Sequence, residues 1–120
     1  MIEKIDILSF CKVLTDLTNK DKCQWRPTPH MSRDRLDFIT GYIEITLYPE
    51  TKDRKKCYCI DLFSNDGIQY MPFEVNKEDE EEAYKVFGDL YKAIWFYYDR
   101  IRKNKIISFY KEIMDLTSKQ

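Results

Sequence analysis

The four cysteines and the single histidine are the residues of this sequence whose types most readily do chemistry. Cys23 and His30 fall in one short stretch, and Cys57 and Cys59 would place two thiols on the same face of a strand. Thiolates and imidazoles are common ligands of Zn²⁺, so these residues form a candidate metal set. Neither spacing matches the Cys-x2-Cys turn of a zinc knuckle, and we therefore expect no metal and no other cofactor.

The same side chains raise the alternative of a small Cys/His-dependent enzyme. A thiol nucleophile needs a base such as His30 within hydrogen-bond reach and a third group that orients this base. No local motif brings His30 to a cysteine, and the sequence has no glycine-rich phosphate loop and no serine elbow. We therefore expect a non-enzymatic protein and keep the enzyme as the alternative.

Basic and aromatic residues form a second candidate site near the middle of the chain. Rings on the solvent face of a sheet can stack on a planar base, and arginine side chains can bind phosphate, which favours a nucleotide-like ligand. The same rings could instead stabilise the sheet as cross-strand pairs beside solvated cations. The set consists of Arg26, His30, Arg33, Arg35, Tyr42 and Tyr48, with Phe38, Phe63 and the basic segment 52–56 around them.

Aromatic residues also crowd the predicted closing helix, where Trp95, Phe96, Tyr97 and Tyr98 are consecutive. Because successive residues of a helix point about 100° apart, one core face cannot bury all four rings. Either neighbouring elements enclose the helix, or it forms an interface, in which Tyr and Trp are favoured anchors. As anchors of such an interface, to a protein partner or a second copy in a homodimer, we expect Tyr91, Trp95 and Tyr98. For a protein partner, the strand tyrosines Tyr42 and Tyr48 are the alternative anchors.

Hydrophobic periodicity predicts the elements that position these residues. Apolar residues spaced three and four apart predict helices at both ends of the chain, and alternation predicts strands in the middle. The predicted order is α-β-β-β-α-α, an α+β fold with a three-stranded antiparallel meander and helices on one face. The predicted bounds are a helix over 4–19, strands over 38–48, 57–64 and 68–75, a helix capped by Asn76 that breaks at 100–105, and a last helix over 106–116.

Turn-forming residues predict the connections between these elements. Two prolines remove backbone donors near residue 28, so we expect an irregular loop or edge segment over 23–37. Asp66-Gly67 between two apolar runs predicts a tight hairpin turn. The row of the first strand that we expect to face the helices is Ile39, Ile43 and Ile45.

The chain as a whole is predicted to be one domain over residues 1–120. Its 20 basic and 21 acidic side chains give a net charge of −1, so we expect no general nucleic-acid binding. No apolar run approaches the roughly 18 residues of a membrane span, and the first residues lack the features of a secretory signal. We therefore expect a cytoplasmic protein without membrane contact and with reduced thiols.

The run LTDLTNK at 14–20, the following Trp25 and the late Leu90-Tyr91 pair together resemble a loose group of small bacterial and phage proteins. This resemblance implies an opening helix, three strands and a closing helix, and it implies no activity. By analogy with small stand-alone domains, we expect a binding protein that sequesters or blocks a partner, as inhibitors in host-virus conflict do. An antitoxin-like structural partner of a neighbouring gene product is a further alternative.

Overall fold

The computed structural model describes residues 6–30 and 32–119, which form two helices and one antiparallel sheet. This architecture is α+β, as predicted. The elements in chain order are α1 (Ile7–Asn19), β1 (Arg26–Pro27), β2 (Arg33–Asp37), β3 (Gly41–Tyr48), β4 (Cys57–Ser64), β5 (Gln69–Asn76) and α2 (Glu81–Ser118).

The sheet is a meander of five strands in the order β1-β2-β3-β4-β5, two strands more than predicted. The predicted irregular segment 23–37 contains both additional strands. β2 pairs with β3 along its whole length, and β1 is a two-residue edge strand that ends at Pro27. Pro27 is tolerated there because an edge strand leaves one side of its backbone free of ladder hydrogen bonds.

The turn between β2 and β3 changes the role of Ile39. The backbone N–H of Phe38 donates to the carbonyl of Gly41, so these residues form a turn and β3 begins at Gly41. Ile39 lies at this turn with 95% of its surface exposed, and the prediction that it faces the helices is wrong. Ile43 and Ile45 are buried as predicted.

Two further turns connect the elements after β4. The predicted Asp66-Gly67 turn joins β4 to β5, and Gly67 adopts a φ of 86°, which glycine tolerates best. The prediction that Asn76 caps α2 is wrong. Its side chain accepts a hydrogen bond from the backbone N–H of Asp79 in the turn before the helix. The residue that precedes the first turn of α2 is Glu80.

Asp6 caps the first helix from the position before Ile7, because its side chain accepts a hydrogen bond from the backbone N–H of Ser9. Cys11 and Leu14, two members of the predicted apolar stripe, lie on its buried side together with Thr18. Residues 4 and 5, where the predicted helix begins, lie outside the described residues.

The second helix is continuous over 38 residues, so the predicted break at 100–105 is wrong. This segment contains neither glycine nor proline. Asp99 forms ion pairs with Arg102 (2.8 Å) and Lys103 (2.9 Å) one turn further along, which is the spacing that supports a helix.

Both helices pack on one face of the sheet and leave the other face uncovered by any described helix. The sheet contributes Ile43, Ile45, Ile60 and Val75 to the core, and the helices contribute Cys11, Leu14, Val86, Phe87, Leu90 and Ile94. α2 crosses from β4, where Tyr58 contacts Tyr84, to β2, where the Tyr98 hydroxyl donates to Asp34 at 2.8 Å.

Candidate interaction surface

The four cysteines are free thiols and all four are buried. Burial raises the pKa of Cys11 and of Cys59 to about 12, and it also raises the pKa of Cys57 and of Cys23. A nucleophilic cysteine needs the opposite change, because the thiolate is the reactive form. The thiol environments therefore do not favour the Cys/His enzyme.

His30 lies in the exposed turn between β1 and β2, where its backbone N–H donates to the Thr28 hydroxyl at 3.2 Å. Cys57 and Cys59 are two strands away in β4 and donate to Glu74 and Asp61. Within 6–30 and 32–119, no group of three or more potential ligand side chains is placed to hold a metal ion.

The uncovered face of the sheet, which we call the outer face, holds the predicted arginines, but each is paired with a carboxylate. Arg26 and Arg35 both contact Asp37, at 3.0 and 2.8 Å. Arg33 lies 3.9 Å from Glu44 on the neighbouring strand. The three arginines and two carboxylates keep a net charge of +1, but each guanidinium already contacts a carboxylate with which a phosphate group would have to compete, so the outer face does not favour a nucleotide-like ligand.

The predicted rings of the outer face are also covered by neighbouring side chains. Tyr42 stacks on Phe63 with ring centroids 4.7 Å apart, and the Arg35 guanidinium lies 3.6 Å from the Tyr42 centroid. Tyr48 accepts a hydrogen bond from Arg33, and Arg54 lies 4.4 Å from its ring centroid. The sheet therefore brings the predicted residues together, in the cross-strand pairing that was the alternative interpretation.

The three predicted anchors of α2 have different environments. Tyr91 is buried, and Tyr98 is half-buried and bonded to Asp34, so both rings belong to the body of the fold. Trp95 is 59% exposed, and Phe96 beside it is 60% exposed. Of the three anchors, only Trp95 offers most of its surface to a partner.

The last half of α2 is an exposed surface with large apolar side chains that the sequence pattern did not predict. Arg100 donates to Asp21 and to the carbonyl of Thr18 beside the end of α1, and every described residue from 102 onwards is exposed. We call residues 102–118 the projecting segment. Its large apolar side chains, between 48% and 70% exposed, are Ile106, Ile107, Phe109, Tyr110, Ile113, Met114 and Leu116.

The apolar side of the projecting segment does not continue the buried side of the same helix. At 100° per residue, Ile106 points about 160° away from Leu90, which packs on the sheet, and within about 20° of the exposed Trp95. The repeat at 106, 109–110, 113 and 116 was visible in the sequence. This repeat was assigned to a separate helix packed on the body, because a break at 100–105 would allow the chain to fold back.

Within the described residues, neither helix combines the length and the apolar character that crossing a bilayer requires. No family model, curated protein or solved structure matches this chain. The resemblance to small bacterial and phage proteins therefore stays an expectation.

Proposed function

We propose that this protein is a non-enzymatic binding protein that assembles as a homodimer through the projecting segment and acts by occupying a partner protein. The observation that carries the proposal is the apolar side of residues 102–118, which no described part of the same chain covers. The buried thiols, whose pKa values are raised, support a binding role over cysteine chemistry.

The exposed area of the projecting segment is large enough for a specific interface. Seven side chains of this size, each about half exposed or more, offer on the order of 700 Å² per chain. Two such surfaces together can bury at most about 1,400 Å², which reaches the roughly 1,200–2,000 Å² of standard interfaces. A helix that stands alone in water is only marginally stable, so burial of this side also stabilises the helix itself.

Charge along the projecting segment favours an antiparallel pair of helices. Arg102, Lys103 and Lys105 lie next to the body, whereas the tip has no net charge, because Glu112 and Asp115 are balanced by Lys111 and Lys119. A parallel pair would place the basic group beside its like-charged copy, and an antiparallel pair separates the two basic groups and opposes the two helix dipoles.

In the antiparallel arrangement the twofold axis passes near Lys111. Ile106 then faces Leu116 of the partner subunit, and Phe109 faces Ile113 of the partner subunit. The two bodies lie at opposite ends of the helix pair, each with its outer face free. This face, with its paired charges and stacked rings, suits a protein partner better than a phosphate ligand.

The test begins with the mass of the purified protein by light scattering, for which we expect twice the chain mass of 14.6 kDa. Ile106→Glu combined with Ile113→Glu should give a monomer, because both charges would lie in the apolar interface. Ser108→Glu, on the polar side of the same segment, is the matched control and should stay dimeric. A monomeric wild-type protein at micromolar concentrations would contradict the proposed dimer.

Spin labels test the direction of the helices, and the buried native thiols leave an introduced cysteine as the reactive site. Lys111 lies level with the twofold axis but points about 140° away from Ile106, so for Lys111→Cys we expect two labels separated across the helix pair with almost no separation along it. For Ser118→Cys we expect a separation of about 20 Å along the helix axis, because seven residues rise about 10 Å on each side. Equal distances at both positions would indicate parallel helices.

A photo-crosslinking residue at position 110 tests the partner in cells. Crosslinking to a second copy supports the homodimer, and crosslinking to a different protein shows that the segment binds another partner. If position 110 forms no crosslink, the projecting segment is not the interaction element.

A further inference from the structure

A hollow of about 430 Å³ lies beside α2, where the helix meets the ends of β4 and β5. Tyr58 and Tyr84 supply its aromatic wall, and Gly88 contributes the surface between them. Its basic rim consists of Lys56, Lys77, Lys85 and Lys92. This hollow contains none of the residues that form the outer face or the projecting segment.

The lysines of the hollow differ from the arginines of the outer face in their pairing. The structure contains ion pairs for Arg26, Arg33, Arg35 and Arg54. Among the ion pairs of the described residues, none involves a lysine of the hollow. Glu81 and Asp89 also line the hollow, so its formal charge is +2. The hollow thus holds cations that are available to a ligand.

Aromatic rings extend from the wall of the hollow along α2. The Tyr58 ring lies 5.0 Å from that of Tyr84 and 5.6 Å from that of Tyr91, and Tyr91 meets Trp95 at 6.3 Å. Tyr58 itself is buried, so Tyr84 is the ring that the hollow presents, and a side chain at Gly88 would start in contact with the Tyr58 hydroxyl oxygen, at 3.5 Å. An apolar, aromatic wall beside free ammonium groups suits a ligand with a planar ring and a negative charge.

We propose that this hollow binds an anion that carries a planar aromatic group, with a nucleotide as the representative ligand. The ring packs against Tyr84, which the buried Tyr58 supports from behind, and the anionic group lies among the ammonium groups of the rim. The sequence suggested a ligand of this class on the arginines of the outer face and the basic segment 52–56; the arginines are paired with carboxylates, and Lys56 is the member of that segment that lines the hollow. The proposal is independent of the homodimer, because no residue of 102–118 lines the hollow.

Calorimetric titration with ATP tests the site, with pyrophosphate and adenosine as probes of the two halves of the ligand. We expect ATP to bind with micromolar to millimolar affinity that falls as salt is raised, and each half to bind more weakly than ATP. Lys85→Gln combined with Lys92→Gln should weaken ATP binding at least about tenfold, because two charge-assisted contacts are lost. Lys105→Gln combined with Lys111→Gln, on the projecting segment, removes the same charge and should leave the affinity within about twofold of wild type.

Gly88→Leu separates a formed site from simple attraction to lysines. The larger side chain would fill the hollow, so ATP binding should be lost while thermal unfolding stays cooperative. Three results would overturn the proposal: no ATP binding at millimolar concentration, equal weakening by the two lysine pairs, or unchanged affinity in a folded Gly88→Leu variant.

Discussion

Asp34 is the residue at which burial and charge conflict most directly. It lies on β2 with 6% of its surface exposed and accepts the hydrogen bond of the Tyr98 hydroxyl. Burial raises the pKa of Asp34, and the hydrogen bond from Tyr98 lowers it in part. The ionised carboxylate is therefore tolerated in the fold only with the help of one hydroxyl donor from α2.

Tyr98→Phe should destabilise the protein more at neutral than at acid pH. Without the donor, the pKa of Asp34 in the folded state rises further above its unfolded value. A raised carboxyl pKa means that the folded state binds more protons, so stability falls as pH rises above the unfolded value near 3.8. We expect a loss of about 1–3 kcal/mol at pH 7 and a smaller loss near pH 3, measured by urea unfolding.

Tyr97→Phe is the matched control for this prediction. Tyr97 is adjacent and buried. The hydrogen bond to Asp34 comes from the hydroxyl of Tyr98 and not from that of Tyr97. Its removal should change stability little, and by the same amount at both pH values. An equal loss at acid and neutral pH in Tyr98→Phe would mean that Asp34 is not the group through which the hydroxyl acts.

The elements that the sequence predicted are those whose apolar residues follow a regular spacing. α1, β3, β4 and β5 appear close to their predicted positions, because each places an apolar row against the core. β2 was missed because the inward row of Arg33–Asp37 pairs Leu36 with the charged Asp34, which gives no apolar alternation. The polar residues 100–105 suggested a break. The helix leaves the body at this point, so it has no buried side there that would require apolar residues at helical spacing.

The sequence predicted which residues lie together on the outer face, but it did not predict that the arginines pair with carboxylates. Interleaved arginines and tyrosines were visible, and they do share one face of the sheet. Their pairing with Asp37 and Glu44 depends on the register between strands, which the separate residues do not specify. The hollow beside α2 joins residues from two separate parts of the chain, 56–58 and 77–92, and no local spacing indicates it.

Substitution of two glycines by alanine should change the stability of the fold in opposite directions. A Cβ at Gly88 would meet Tyr58 at 3.5 Å, an ordinary contact, so Gly88→Ala should stabilise α2 by about 0.5–1 kcal/mol. A Cβ at Gly41 would lie 2.1 Å from the Phe63 carbonyl oxygen, so Gly41→Ala must separate β3 from β4. We expect this change to cost about 2 kcal/mol or more.

Thermal and urea unfolding of both variants measure this contrast. Each variant adds the same methyl group, so each serves as the control for the other. Destabilisation by Gly88→Ala would mean that α2 packs more closely on Tyr58 than the structure indicates. An unchanged stability in Gly41→Ala would show that the β3 and β4 backbones can separate at little cost.

At the scale of the whole molecule, the helix α2 determines the shape. The described residues extend over 65 × 36 × 25 Å, and a helix of 38 residues is about 57 Å long. The core residues on α2 end with the partly buried Ile101. The backbone of α2 thus runs without interruption from the body into the projecting segment, but only the part of α2 before residue 102 packs on the rest of the chain.

A chain that ends at Lys103 should keep the body folded and lose the dimer. The truncation retains the ion pairs of Asp99 with Arg102 and Lys103, and it removes no side chain of the core. At concentrations where the full chain is monomeric, we expect the two unfolding free energies to agree within about 0.5 kcal/mol.

Protein concentration then distinguishes assembly from folding in the same experiment. Because a dimer stabilises the folded state by mass action, the unfolding midpoint of the full chain should rise with concentration, and that of the truncated chain should stay constant. The truncated chain should also bind ATP as the full chain does, because it retains every residue of the lysine hollow. A concentration-independent midpoint in the full chain would contradict the dimer alone, and loss of ATP binding on truncation would contradict the independence of the hollow from the projecting segment.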